Sequence, residues 1–201
     1  MKSSMKETLK KEKTMTVRNA ILDAADSIIE NEGIDKVSIR KVAAMIGYSP
    51  GNIYQYFSDK DTLINHTIMR GYQRLMQSVK DGEKEEDDTP TLIESRFLAY
   101  AEAVLDNPVY YKAVMFSGKA AILEHTRILD KDAIQNRAAF KELIESIEEG
   151  IEKKQIRKTD PVMLAQILWC SVFGILTRGI LESEDRTVIL KYIRHAVNRT
   201  L

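Results

Sequence analysis

Four prolines divide the sequence into segments in which apolar residues recur three or four positions apart. Proline is tolerated in the first turn of a helix but disrupts a helix interior, and a spacing of three or four places residues on one helix face. Each proline stands near a plausible helix boundary, at Pro50, Pro90, Pro108 and Pro161. The 201-residue sequence therefore predicts an all-α fold.

Residues 1–14 are polar and rich in lysine, and they have no apolar periodicity. We predict that they form a disordered basic arm. Such an arm is either a solvated tail or a segment that adds contacts to phosphates.

Residues 15–62 form the first predicted domain, which contains three helices. The first helix begins near Thr16 and ends at Gly33, because Gly is the favoured residue just past a helix C-terminus. The second helix follows Ser38, a good N-cap residue, and is broken by Gly47.

The third predicted helix is very short. Ser49 is its N-cap, Pro50 occupies its first position, and it ends near Phe57. Ser58 and Asp61 are three residues apart and predict a capping box for a fourth helix, which continues into the second domain.

Residues 63–201 form the second predicted domain, a helical bundle interrupted by an acidic loop at residues 81–90. The helix that begins at Pro161 is apolar on nearly every side, so it must be buried on every side. Its own neighbours can cover one face, and a partner subunit is the simplest cover for the other. Cys170 lies in this helix and is predicted to be a buried, reduced thiol. An amphipathic helix over Asp185–Leu201 ends the chain.

The segment Val37–Leu63 has the pattern of a helix-turn-helix, in which the second helix enters the major groove of DNA. On that second helix, the amides of Asn52 and Gln55 can pair with base edges. Pro50 and Gly51 are small enough to let the backbone approach the bases. The predicted DNA-binding residues are Ser38, Arg40, Ser49, Pro50, Gly51, Asn52, Tyr54, Gln55, Tyr56 and Lys60.

The remaining members of this set fit contacts to phosphates. Tyr54 and Tyr56 offer hydroxyl groups, whereas Ser38, Arg40 and Lys60 lie at or near helix N-termini, where backbone N–H groups and positive charge favour anions. The alternative interpretation is a short surface helix whose polar residues only face solvent. Exposed aromatic side chains among amides and basic residues favour nucleic acid.

The charge distribution agrees with a nucleic-acid partner for the first part of the chain only. Residues 1–80 hold 13 Lys and Arg against 9 Asp and Glu, whereas residues 81–201 hold 17 against 21. A basic part followed by an acidic part indicates that only the first part meets a polyanion.

Residues 16–63 closely resemble the DNA-binding domain of the TetR family of bacterial regulators. The resemblance rests on the alanine-rich first helix, on the turn Gly47-Tyr48-Ser49, and on the stretch Gly51-Asn52-Ile53-Tyr54-Gln55-Tyr56-Phe57, closing on Lys60 and Leu63. It covers about a quarter of the chain. Many relatives carry a Lys and a Thr around the glycine, and a His in place of Gln55, so these departures concern which operator is bound.

The family resemblance implies a homodimer joined through the last two helices, a palindromic DNA operator, and contacts of Tyr54, Tyr56 and Lys60 with the DNA backbone. It also implies a repressor that is released from DNA when the second domain binds a small ligand. An activator and a regulator that needs no ligand are alternatives with the same fold.

Large apolar side chains of the second domain are the candidates for such a ligand site, and they predict an apolar or amphipathic compound. Each of them is also a plausible core residue. The candidate ligand-binding residues are Phe97, Tyr100, Tyr111, Met115, Trp169 and Phe173.

Other classes of protein find little support. A helical-bundle enzyme with a di-iron centre needs Glu-x-x-His pairs, which the sequence lacks, as it lacks HExxH, GxSxG and P-loop motifs. We therefore expect no enzyme, no cofactor and no metal. The N-terminus has no apolar segment like that of a signal peptide, and the apolar stretch Val162–Leu176 is too short and too polar to span a membrane. We expect a cytoplasmic protein.

Overall fold

A computed structural model describes residues 2–81, 88–116, 127–130 and 137–201. These residues are helical in nine segments, and no strand occurs among them, which confirms the all-α prediction. The α-helices are α1 (Lys2–Glu32), α2 (Ile39–Met45), α3 (Pro50–Ile53), α4 (Lys60–Asp81), α5 (Thr89–Asp106), α6 (Pro108–Met115), α7 (Ala138–Glu152), α8 (Pro161–Glu182) and α9 (Arg186–Thr200).

The chain divides into two compact units. Unit 1 comprises the described residues within Met1–Tyr72 and Val109–Ile122, and unit 2 those within Gln73–Pro108 and Leu123–Leu201. The predicted boundary at residue 62 therefore differs from the observed one. The first half of α4 and most of α6 belong to the unit that carries the helix-turn-helix.

Unit 1 is built on the apolar face of α1. Ile21, Ala25 and Ile29 are fully buried, and Val42 of α2 and Ile53 of α3 pack into the same core. Burying such aliphatic side chains contributes about 1.5–3 kcal/mol each relative to exposure. This common core fixes α2 and α3 against α1.

The N-terminal end of α1 differs from the prediction of a disordered arm. The helix begins at Lys2 and has 31 residues, of which residues 2–14 lie in the predicted arm. No Gly or Pro occurs before Gly33, and Lys, Glu, Leu and Met are good helix formers. Apolar periodicity identifies a helix that has one buried face. It therefore misses a helix that has no such face.

Several helix ends in unit 1 follow the predicted signals, but α3 ends at Ile53 rather than near Phe57. Gly33 ends α1 with φ at 93°, and the Oγ atoms of Ser38 and Ser49 accept the N–H groups of Lys41 and Asn52 at 3.2 and 3.3 Å. The prediction for α4 was wrong in its N-cap.

The N-cap of α4 is Asp59 rather than Ser58. Asp59 Oδ1 accepts the N–H of Thr62 at 2.7 Å, whereas Ser58 Oγ contacts the side chains of Asp59 and Thr62. The helix starts one residue later than the capping box implied, because the carboxylate, not the hydroxyl, reaches the free N–H.

A polar cluster joins α1, α4 and α6 within unit 1. Arg70 Nη2 lies 2.7 Å from Asp26 Oδ2, a buried carboxylate, and 2.8 Å from Asp23 Oδ1. Tyr110 Oη of α6 donates to Asp26 and to the carbonyl of Thr67, both at 3.4 Å. These bonds attach α6 to α1 and α4.

Unit 2 contains α5, α7, α8 and α9, with α8 at its centre. One face of α8 is buried through Leu164, Leu168, Val172 and Leu176. Asp160 caps this helix by accepting the N–H of Val162 at 2.9 Å. No described residue of the protomer covers the remaining face of α8.

The uncovered face of α8 carries an apolar stripe in heptad spacing. We call this set the α8 stripe, and its large apolar members are about half exposed, at 47–52%. Cys170 is exposed within it, so the prediction of a buried thiol was wrong for the isolated protomer. The α8 stripe comprises Met163, Ile167, Cys170, Gly174, Thr177 and Leu181.

By length and composition, α8 is long and apolar enough to cross a membrane. The stretch Val162–Leu176, which was considered from the sequence, is shorter than this helix. The 22 residues of α8 include a window of mean hydropathy 1.6, of which 39% is buried. A core helix of a soluble protein meets the same criteria. The feature is therefore weak evidence for a membrane span.

Candidate nucleic-acid interface

The short helix α3 is held by two buried anchors and presents its other residues to solvent. Ile53 is fully buried and Phe57 is 1% exposed, so the helix cannot turn about its axis without losing the core. Gly51, Asn52 and Gln55 are exposed. The two amides and the small glycine thus share a surface that no described part of the chain covers.

Tyrosines lie at the end of α3 in two different environments. Tyr54 is 55% exposed, whereas Tyr56 is half-buried against the core of unit 1. The backbone carbonyl of Tyr56 accepts a hydrogen bond from Arg18 Nη1 at 3.1 Å. This bond fixes the backbone at the C-terminal side of α3 to α1.

The basic and hydroxyl members of the predicted set flank α3. Arg40 is exposed on α2, and Lys60 is half-exposed at the start of α4 with its Nζ donating to the carbonyl of Asp35 at 3.3 Å. Ser38 and Ser49 are N-caps, so their Oγ atoms already accept backbone N–H groups. Their hydroxyl hydrogens are the groups left to offer to a phosphate.

All ten predicted DNA-binding residues thus lie in unit 1 on α2, α3, the start of α4 or the turns between them. Asn52, Tyr54 and Gln55 form the exposed centre of this set, with Arg40 and Lys60 on neighbouring elements. The surface can donate and accept hydrogen bonds at base edges and attract phosphates.

Two exposed apolar residues of the helix-turn-helix were missing from the sequence prediction. Met45 at the end of α2 is 51% exposed, and Tyr48 in the turn is 39% exposed. Gly47, with φ at 69°, takes a left-handed conformation that leaves the next side chain on the surface.

Arg18, Phe57 and His66 form a stack beside the candidate interface. The Arg18 guanidinium lies 4.4 Å from the centre of the Phe57 ring, and His66 meets the same ring edge-on at 5.7 Å. Partial burial, and then the positive charge of Arg18, lower the pKa of His66. Sequence patterns gave no signal for this stack, because the three residues lie on separate elements.

The candidate ligand-binding residues fall into both units. In unit 2, Trp169 meets Tyr100, Phe97 and Phe140 at ring-centre distances of 4.8, 5.5 and 5.3 Å. The Trp169 indole nitrogen is buried without a hydrogen-bond partner among the described residues.

The remaining candidates are not part of this aromatic cluster, although one of them lies on the same helix as Trp169. Phe173 lies one turn after Trp169 on α8 and is half-exposed. Tyr111 is buried and Met115 is half-buried, and both belong to unit 1, where Met115 packs against the core. The predicted set is therefore not one cluster.

The helix-turn-helix is the part of the chain that carries a family identity. The family model described as bacterial regulatory proteins of the tetR family matches residues 21–67, which include α2, α3 and both glycine turns. Residues 21–67 therefore form a helix-turn-helix of the TetR-family type. The chain is thus similar to helix-turn-helix transcriptional regulators of that family.

Relatives of known name extend this TetR-family similarity beyond the DNA-binding unit. The regulator BetI of Cronobacter sakazakii is 24% identical over 186 residues, which is 88% of this chain and 89% of BetI. The nucleoid occlusion factor SlmA of Vibrio cholerae is 28% identical over 177 residues, which is 84% of this chain and 86% of SlmA.

A solved structure shows the same fold. It is assigned as a TetR-family transcriptional regulator from Rhodococcus sp. and matches with a TM-score of 0.72 at 21% identity. The match covers 91% of this chain and 97% of the other. The TetR-family fold therefore extends over both units.

Proposed function

We propose that the protein is a cytoplasmic, homodimeric repressor without enzymatic activity, which binds a palindromic operator and leaves it when a small apolar or amphipathic ligand binds. The observation that carries this proposal is the exposed surface of α3. Asn52 of α3, and Tyr54 and Gln55 in the turn just after it, face solvent on a segment that the buried side chains of Ile53 and Phe57 hold in place. A fixed helix presenting amides is suited to reading bases in the major groove.

A dimer is supported by the α8 stripe. Its members recur at alternating intervals of four and three residues, the spacing at which two helices pack side by side with a left-handed crossing. Tyr192 on the neighbouring helix α9 adds an aromatic ring that is 62% exposed. A two-fold dimer presents two copies of α3, so its operator is palindromic with half-sites about one helical turn apart.

A ligand is supported by the surroundings of Trp169 in unit 2. The indole N–H is buried among aromatic rings without an acceptor in the described part of the chain, and leaving a buried donor unpaired costs about 1–3 kcal/mol. A ligand with an apolar body and one hydrogen-bond acceptor would satisfy both the rings and the N–H group. Such a ligand acts only through its different affinities for the DNA-binding and released states.

The first experiment is selection of duplexes from a random library by the purified protein, followed by footprinting of the enriched sequence. We expect a palindrome and protection of two half-sites. Absence of any salt-sensitive affinity for duplex DNA after selection would refute the proposed function.

Two substitutions in the turn that follows α3 then separate base reading from phosphate binding. Gln55→Ala is expected to reduce discrimination at one base pair by about 1–3 kcal/mol. Tyr54→Phe, the matched control, removes a hydroxyl and is expected to weaken specific and random duplexes equally. Equal losses on both duplexes for Gln55→Ala would remove its assigned role.

The ligand is tested by fluorescence, because Trp169 is the only tryptophan of the chain. Titration with medium-chain fatty acids and aromatic amphiphiles is expected to change its emission and to release the operator at the same concentration. A compound that releases DNA without any change in emission would place the ligand elsewhere. Trp169→Phe, which keeps the ring and removes the N–H, is expected to weaken ligand binding and to leave operator binding intact.

A regulator that needs no ligand is the second candidate. It is favoured by the similarity to SlmA, a relative named for nucleoid occlusion rather than for transcription. Placing the selected operator within a promoter and measuring transcription distinguishes repressor from activator. Protein that stays on the operator with every compound that alters Trp169 emission would favour this second candidate.

A further inference from the structure

The N-terminal half of α1 extends beyond the core of unit 1. The first buried side chain of α1 among those described is Val17, and the described side chains before it, at residues 5, 9 and 11–16, are all exposed. At 1.5 Å per residue, residues 2–16 add about 22 Å of helix. The described side chains of this segment do not pack against the described part of unit 1, so packing does not account for the segment.

The charge of this extension is distinctly positive. Residues 2–16 contain five Lys and two Glu. Lys11 and Lys13 are exposed, and neither forms an ion pair with a side chain that the structure describes. By contrast, Lys41 pairs with Glu32, and Arg70 with Asp23 and Asp26. The extension therefore supplies cationic charge that the folded part of unit 1 does not neutralise.

The contacts of Arg18 show which part of unit 1 the extension leaves from. Arg18 donates to the carbonyl of Tyr56 and covers the ring of Phe57, immediately after α3. Lys11 is seven residues earlier, which is two helical turns or about 10 Å along the same face of α1. The extension thus begins beside the residues at the C-terminal side of α3.

We infer that residues 2–16 of α1 form an arm that binds the phosphates of duplex DNA outside the half-site read by α3. This inference rests on the proposed function, because it requires α3 to bind DNA. The occupant is duplex DNA rather than another polyanion, since the arm starts next to the surface that enters the groove. Its contacts go to phosphates and carry no sequence preference, because lysine recognises them as point charges.

The test compares the salt dependence of two charge-matched variants of the full chain. The arm variant carries Lys10→Gln, Lys11→Gln and Lys13→Gln. The control carries Lys153→Gln, Lys154→Gln and Lys158→Gln, which remove the same charge from exposed positions in unit 2. Glutamine is as good a helix former as lysine, so circular dichroism should show unchanged helix content.

We expect the slope of log Kd against log salt to fall by about 0.9 for each lost phosphate contact in the arm variant, and not to change in the control. The loss of affinity should be equal on operator and random duplexes. Extending the operator by about one helical turn on each side should tighten binding of the wild type and not of the arm variant.

Equal slopes for the wild type and the arm variant would overturn the inference, as would a wild type that gains nothing from the longer duplex. A wild type that binds no duplex at all would instead refute the proposed function. An arm variant that loses operator discrimination while its salt slope is unchanged would assign the lysines to base reading and also overturn the inference.

Discussion

Asp59 and Ser58 are adjacent residues that can both cap a helix, and only the structure distinguishes them. The hydrogen bond from the Thr62 N–H, then those from the side chains of Thr62 and Ser58, lower the pKa of Asp59. A carboxyl with a lowered pKa stabilises the fold at a pH above its ordinary value of about 3.8 and loses that contribution as the pH falls through the lowered value. The capping bond therefore exists in the ionised state.

We expect Asp59→Ala to lower the thermal midpoint of unfolding at neutral pH and Ser58→Ala to lower it less, because Asp59 accepts the backbone N–H. Differential scanning calorimetry measures both. The difference between the two variants should shrink as the pH approaches 3. A larger decrease of the thermal midpoint for Ser58→Ala would instead indicate that Ser58 is the N-cap, as predicted from the sequence.

His66, which contacts the Phe57 ring, makes the stability of the fold depend on pH. Burial and Arg18 lower its pKa below the ordinary value of about 6.5, so the unfolded chain binds a proton at a higher pH than the folded chain does. Stability therefore falls as the pH drops from about 7 through the lowered pKa of the folded state. We expect His66→Gln to reduce the change in the free energy of unfolding, measured in urea, between about pH 7 and pH 5. A wild type and variant with parallel pH profiles would contradict this assignment.

Among single residues, the caps and turn glycines were the most predictable. Ser38, Ser49 and Gly33 act as predicted, because capping and positive φ depend on local sequence. The Arg18 contact with Tyr56 joins residues 38 positions apart and leaves no local pattern. Contacts of that kind cannot be read from spacing.

At the scale of elements, the packing of α4 against α6 depends on a glycine. A Cβ atom placed on Gly71 would lie 2.8 Å from Cζ of Tyr110, which is closer than real side chains approach. Gly71 therefore permits the phenol of Tyr110 to reach Asp26 and Thr67. A larger residue at position 71 therefore requires the Tyr110 ring to move away from these partners.

We expect Gly71→Ala to destabilise the protein by about 1–3 kcal/mol through overpacking. In a Tyr110→Ala background the same substitution should cost much less, because the ring that it meets has gone. Chemical unfolding of the wild type, both single variants and the double variant completes the cycle. Additive losses would show that Gly71 and Tyr110 do not interact.

The membership of α6 in unit 1 was not predictable from the sequence, and neither was the helical state of residues 2–14. Tyr110 contacts Thr67 across 43 positions, a distance at which periodicity carries no information. Residues 2–14 have strong helix propensity, which favours a helix, but they have no apolar face by which an amphipathic helix would be recognised. The two signals therefore conflict. By contrast, α8 and its uncovered side were predicted from composition alone.

At the scale of the whole molecule, the α8 stripe determines the proposed assembly. We expect Ile167→Glu to convert a dimer to a monomer at micromolar concentration, because it places a charge in the centre of an apolar contact. Ala138→Glu adds the same charge at an exposed position of α7 and should leave the dimer intact. Analytical ultracentrifugation measures both, and a wild type that sediments as a monomer would contradict the dimer.

The single thiol of the chain offers a quantitative measure of the proposed contact. Cys170 is the one cysteine and is exposed in the protomer, whereas the proposed dimer would cover it and protect it from maleimide reagents. The labelling rate should therefore rise on dilution and report subunit exchange without any added probe. The same chemistry offers a single attachment point for a spin label, so that one inter-spin separation would measure how far each label lies from the two-fold axis of the proposed pair.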